Sequence, residues 1–191
     1  MNVLFEEEGG FRAGSLMADN DSSLQIEMAS GKRSKIKAAA VLLRFEKPSA
    51  VMLLDQATPQ AEEIEADFLW ECANDGEFSF LDFARDYYGH DPAPVEATAV
   101  LLALHAAPVY FHRKGKGRFR KAPPEILAAA LASLEKKRQQ ALAMEGWIAE
   151  LKAFRLPPEI ALLTDALLYA PDRNKAETKA FETACAEAGV T

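Results

Sequence analysis

Between Tyr110 and Lys121 the chain reads Tyr-Phe-His-Arg-Lys-Gly-Lys-Gly-Arg-Phe-Arg-Lys: six cations (Arg113, Lys114, Lys116, Arg118, Arg120, Lys121), three aromatics and no acid. Cations neutralise phosphates and aromatic faces stack on unpaired bases, so this mixture suits contact with single-stranded nucleic acid. The competing arrangement is a solvated hairpin whose Tyr110, Phe111 and Phe119 pack inward. A second cluster, Lys32, Arg33, Lys35 and Lys37, sets four positive charges in six residues after Gly31. It is a weaker signal of the same kind, and a solvated loop accounts for it equally well.

Other chemistries lack their residues. His90, His105 and His112 have no metal-ligand spacing, and no Ser, Thr or Cys stands in a nucleophile motif such as Gly-x-Ser-x-Gly. Gly115-Lys116-Gly117 lies in a turn between strand-like segments rather than before a helix, which argues against a phosphate-cradling loop. Two-metal hydrolysis needs carboxylates converging on ions about 3.5–4 Å apart, and the acids of 61–96 read instead as the solvated faces of helices. The chain by itself does not read as catalytic, and no cofactor is expected in it.

The net charge of −7 argues on its face against a polyanionic partner, but its distribution does not. Residues 61–108 hold eleven acids and one base, Arg85, whereas 109–121 hold six bases and no acid. Ten of the 22 basic residues therefore fall in the two short clusters. With 191 residues, 49% of them hydrophobic, the chain can bury a real core. Cys72 and Cys185 lie far apart, outside any zinc-knuckle or Cys-x-x-Cys spacing, which fits a reduced, cytoplasmic setting. No apolar run approaches the roughly 18 residues of a membrane span, and the N-terminus lacks a basic region followed by an apolar one.

The elements that must position these residues are legible in outline. Turn signals at Gly9-Gly10, Asp19-Asn20-Asp21 and Ser30-Gly31 separate strands over 2–7, 11–18, 23–29, 35–43 and 50–54, which together suggest a small barrel, SH3-like or OB-like. Leu24-Gln25-Ile26-Glu27-Met28 alternates as a half-buried strand requires. Thr58-Pro59 opens a helical region with a helix over 61–74. Ser79 is placed to cap a helix over 80–88 that Gly89 ends, and a third, almost wholly apolar helix runs over 95–105. Segments 109–112 and 118–120 form a hairpin, and three helices followed by a hairpin is the order of a winged helix-turn-helix. Pro123-Pro124 then starts one long helix to about Leu151. Further helices run from Pro157-Pro158 to Leu168 and from 171–174 to Glu187, ending at Gly189. The expected fold is α+β: a small β-barrel over 1–58, a winged helix-turn-helix over 59–122 and a helical segment over 123–191.

The third helix offers only Glu96, Thr98 and His105 as polar groups, whereas a helix that reads duplex DNA presents Arg, Lys, Asn or Gln to base edges. Its apolarity suggests burial against another domain.

Three segments carry a resemblance: Phe5-Glu6-Glu7-Glu8-Gly9-Gly10-Phe11-Arg12-Ala13-Gly14; Gly31-Lys32-Arg33-Ser34-Lys35-Ile36-Lys37 leading to Val41-Leu42-Leu43-Arg44; and Pro108-Val109-Tyr110-Phe111-His112-Arg113. Over most of residues 1–160 the chain resembles the N-terminal region of a ribonuclease II / ribonuclease R (RNB) family exoribonuclease, in the subgroup with a winged-helix module. The resemblance implies a parent enzyme that degrades single-stranded RNA from its 3′ end, with Mg²⁺ held by aspartates of a catalytic RNB domain linked in cis. Those aspartates have no counterpart here, and no aromatic cold-shock signature is present. It implies an RNA-guiding module contacting single-stranded RNA through the six cations of 113–121 and through Lys32, Arg33, Lys35 and Lys37. The alternatives are a protein-interaction scaffold that docks through the apolar third helix and the acidic face of 61–96, and a winged-helix regulator of duplex DNA.

Overall fold

The structure, a computed structural model, describes residues 1–188. It is α+β and divides into two compact units, Met1–Leu127 and Ala128–Thr191.

The first unit opens with an antiparallel sheet of five strands: β1 (Asn2–Glu7), β2 (Gly10–Asp19), β3 (Ser23–Glu27), β4 (Arg33–Lys37) and β5 (Val41–Phe45), in the order β4-β3-β2-β1-β5. β1 runs through the middle of the hydrophobic material, so Val3, Leu4 and Phe5 are all buried. Alternation sends Leu4 to one face, where it joins the helical core, and Val3 and Phe5 to the other. On that second face Val3, Phe5, Leu24, Ile26 and Ile36 form a separate cluster, with Leu16, Met28, Ala38 and Val41 packed against it. The buried members of this cluster all lie on strands of the sheet.

Two strand expectations are corrected. The strand expected over 35–43 is broken by a three-residue 3-10 turn, Ala38–Ala40, into the end of β4 and the start of β5. Three small residues without β-branching allow that tight winding, and burial of Ala40 pins it. The strand expected over 50–54 is instead the start of helix α1 (Ala50–Glu63), because Leu53 and Ala57 repeat at helical spacing and are fully buried. Pro59, expected to start a helix, lies inside α1 and exposed. The apolar seam around it outweighs a proline penalty of about 3 kcal/mol. A closed barrel was expected, but among the described residues no pairing joins β4 to β5, and the sheet is open at those edges.

α1 packs on helix α4 (Pro94–Ala106) and on β2. α2 (Ala66–Cys72) follows a break at Ile64 and Glu65 where one helix was expected. Helix α3 (Phe80–Tyr88) is bounded as expected: the Ser79 hydroxyl accepts from the Asp82 backbone N–H at 3.1 Å, and Gly89 ends it in the left-handed conformation. At the start of α4 the Glu96 carboxylate accepts from the Ala93 backbone N–H at 2.7 Å.

α4 corrects a further expectation. Its apolar residues are consumed by its own unit, with Ala97, Thr98, Ala99, Val100, Leu101, Ala103 and Leu104 all buried. Thr98 is satisfied by donating to the Pro94 carbonyl at 2.6 Å. α4 is a central strut between α1 and α3, not a face left open for another domain.

A second sheet completes the unit: β6 (Glu77–Ser79), β7 (Phe111–Gly115) and β8 (Arg118–Lys121), in the order β6-β8-β7. β6 was not foreseen, since three residues between two helices carry no periodicity to read.

Helix α5 (Pro124–Lys152) follows β8 and extends into the second unit, where Arg155 closes its end on Glu150 at 2.7 Å. The helix expected from Pro158 to Leu168 is two short pieces, α6 (Pro158–Ala161) and α7 (Thr164–Tyr169). The last, α8 (Ala176–Ala188), starts a few residues later than expected and is tied to α5 by Lys152 and Glu187 at 2.7 Å. The stop expected at Gly189 lies outside the described residues. Ile160, Thr178, Ala180 and Ala184 are buried in this unit.

Candidate nucleic-acid interface

The pleat of the second sheet sorts its side chains into two populations, because residues directly paired across antiparallel strands share a face. Phe111 pairs with Lys121, Arg113 with Phe119, and Phe119 with Phe78. This is the inner face, where Phe111 and Phe119 are 1% exposed and pack with Phe78 and Phe83. His112 pairs with Arg120, Gly115 with Arg118, and these arginines with Glu77 and Ser79 of β6. These residues form the outer face. A bulge between Arg113 and Gly115 leaves Lys114 exposed beside it, and Lys116 sits exposed in the two-residue turn.

The aromatics of this segment are therefore core rather than stacking platforms. Tyr110 is half-buried, and its hydroxyl donates to Asp67 at 3.3 Å; burial and that carboxylate together raise its pKa.

The six cations separate in the same way. Arg113 on the inner side is ion-paired with Glu6 of β1, and its other terminal nitrogen lies 3.3 Å from His105 Nε2. The Glu6 side chain is 11% exposed, and its Oε2 is buried with no hydrogen-bond partner among the described residues, where Arg113 supplies its charge compensation. His105 stacks edge-on against Phe11, and burial, with the Arg113 cation second, lowers its pKa. A neutral imidazole is what the guanidinium beside it requires.

Lys121 is likewise occupied. Its Nζ donates to the Ala73 carbonyl at 2.8 Å, lies 3.1 Å from Asp75 and sits 5.1 Å above the Trp70 ring. Trp70 in turn donates to the Ala122 carbonyl at 2.8 Å, so α2 and the end of β8 are fastened together. Lys114, Lys116, Arg118 and Arg120 remain outward and exposed, opposed on that face by Glu77, 3.8 Å from Arg118.

The turn carrying Lys116 is fixed by Gly117. Its φ of +65° suits glycine, and a Cβ there would stand 2.9 Å from Phe80 Cδ1 and 3.2 Å from Leu42 Cδ2. Its carbonyl accepts from the Phe80 N–H at 2.9 Å. The hairpin is thereby held against both α3 and β5.

The second cluster lies on edge strand β4. Arg33, Lys35 and Lys37 alternate with Ser34 and buried Ile36, so the three cations share one exposed face, and Lys32 is exposed just before them. Arg33 lies 3.8 Å from Glu27, its cross-strand partner. Cations on an edge strand also discourage edge-to-edge pairing, the structural alternative to a binding role.

Sequence reasoning missed Glu6 and His112. Glu6 is the partner of a residue 107 positions away, and no local pattern announces that. His112 follows from the register opposite Arg120, but the bulge at 113–115 hides that register in the sequence. Among the described residues no group of three His, Cys, Asp or Glu side chains is placed to hold a metal ion. No described helix is long and apolar enough to cross a membrane.

Comparison with family models, with curated proteins and with solved structures yields no match for this chain.

Proposed function

We propose that this chain is an RNA-binding module of an RNB-type 3′-to-5′ exoribonuclease, cytoplasmic, which guides single-stranded RNA toward a catalytic RNB domain linked in cis. The observation that carries the reading is the outer face of the second sheet, where Lys114, Lys116, Arg118 and Arg120 stand exposed against one carboxylate. Four cations on a twisted hairpin, without a free aromatic platform or a polar helix beside them, suit contact with a phosphate backbone better than readout of bases. Arg113 and Lys121, expected as phosphate contacts, are read instead as supports of the hairpin. The order α1, α2, β6, α3, α4 and then the β7–β8 hairpin supports a winged-helix reading of this half of the unit. The five-stranded antiparallel sheet, with a 3-10 turn before its last strand, supports an SH3-like rather than an OB-like module.

Burial of α4 speaks for the RNA reading over a scaffold docking through that helix or a duplex-DNA regulator reading bases with it, while the acidic face of 61–96 stays available to a scaffold. The test is binding of the whole chain to labelled single-stranded RNA, with duplex DNA of equal length alongside, over a series of salt concentrations. Affinity that falls steeply with salt and favours RNA supports the reading. Preference for duplex DNA, or no binding at low salt, overturns it.

A further inference from the structure

We propose that the hairpin's outer face and the β4 cations are the two ends of one phosphate-binding strip, joined across the Ala38–Ala40 turn and occupied by a single RNA strand. This rests on the RNA-guiding reading above and adds the path of the strand. In sequence the clusters are about eighty residues apart. The fold closes that gap in two short steps.

The first step is the 3-10 turn. At about 2 Å rise per residue, the four steps from Lys37 to Val41 advance the chain by only about 8 Å. The next residue, Leu42, makes the second step: its Cδ2 lies 3.2 Å from the Cβ that Gly117 lacks, and Gly117 is flanked by Lys116 and Arg118. Arg33, Lys35 and Lys37 therefore lead along β4 toward the alanine turn, and the turn leads to the hairpin tip. From Gly31 to Phe45 the chain carries no acid. Of the carboxylates these cations meet, Glu27 lies at Arg33, the outer end of the path, and Glu77 lies 3.8 Å from Arg118, beside the hairpin tip.

The bridging surface also favours a polyphosphate occupant over a protein. Ala38–Ala40 offers no bulky apolar side chain for a partner to bury, and Ala39 is exposed. A surface of methyl groups lets a charged backbone pass close between cations at both ends.

The test places a charge in the gap. Ala39→Glu and Ala39→Gln are compared with the unaltered full chain, using oligouridylates of about 4 and about 16 nucleotides, the limits of common single-strand site sizes. One added anion beside a bound phosphate is worth on the order of 1 kcal/mol, or roughly fivefold to tenfold in affinity at low salt. Ala39→Glu should weaken the long oligomer by that factor and Ala39→Gln by less than about twofold. The short oligomer, which engages one end at a time, should lose less than the long one. Circular dichroism checks that the substitution at this exposed site leaves the fold intact. Long-oligomer affinity unchanged by Ala39→Glu, while neutralising the hairpin still weakens it, overturns the strip and leaves the RNA reading standing. Failure of the unaltered chain to bind either oligomer overturns both.

Discussion

Replacing Gly117 by alanine tests the local geometry on which the hairpin's position depends. Alanine at φ +65° costs roughly 1–2 kcal/mol for the left-handed backbone. Its Cβ would also meet Phe80 at 2.9 and 3.1 Å and Leu42 at 3.2 Å. Phe80 is 3% exposed inside the helical core and has no room to retreat, so overpacking adds roughly 1–3 kcal/mol. The expected loss is about 2–5 kcal/mol, a large fraction of the 5–15 kcal/mol typical of a folded domain. Gly89 supplies the control: its φ is +71°, but nothing lies within 4 Å of an added Cβ, so Gly89→Ala measures backbone strain without collision. Urea unfolding followed by tryptophan fluorescence gives both values. Trp70 reports on the first unit, and Trp147, on α5 in the second, is changed to Phe in every variant. Gly117→Ala should lower the midpoint clearly more than Gly89→Ala. Equal midpoints would refute the close approach of the turn to Phe80 and Leu42, and with it the link between hairpin and β5.

Leu101→Ala, at a fully buried position of α4, should cost about 2–5 kcal/mol by the same urea assay, against under about 0.5 kcal/mol for a surface change such as Glu62→Gln. Arg113→Ala should cost about 1–3 kcal/mol because it strands the Glu6 carboxylate, and Glu6→Gln combined with it should recover part of that loss. His105 has a folded pKa held below its ordinary 6.5 by burial and by Arg113. Its contribution to stability is therefore present above 6.5 and is lost as pH falls through the folded value. Midpoints measured from pH 7.5 down to pH 5 should show this loss, and His105→Gln should flatten the profile over that window.

The parts of the fold that are local in origin could be read from the sequence, and those set by distant partners could not. β3 and α3 lie where the alternation of Leu24–Met28, Ser79 and Gly89 place them, because each signal acts within a few residues. The first turns of α1 were misread because Ala50–Leu54 is too short to show which period it follows; only the core that Leu53 and Ala57 share with α4 makes it helical. The apolarity of α4 was recognised, but a single sequence does not say which surface covers an apolar helix. The basic segment was recognised by composition, yet its division into outward and inward cations depends on a bulge, on β6 and on Glu6, each fixed by tertiary packing.

On the proposed function, the outward cations of the hairpin hold RNA phosphates. The direct measurement is the salt dependence of affinity for a single-stranded oligouridylate, comparing the unaltered chain with the variant Lys114→Ala, Lys116→Ala, Arg118→Ala and Arg120→Ala combined. Each lost single-strand phosphate contact should reduce the slope of log affinity against log salt by about 0.7, so this variant should be shallower by up to about 2.8 and bind more weakly. An unchanged slope with unchanged affinity would contradict the account.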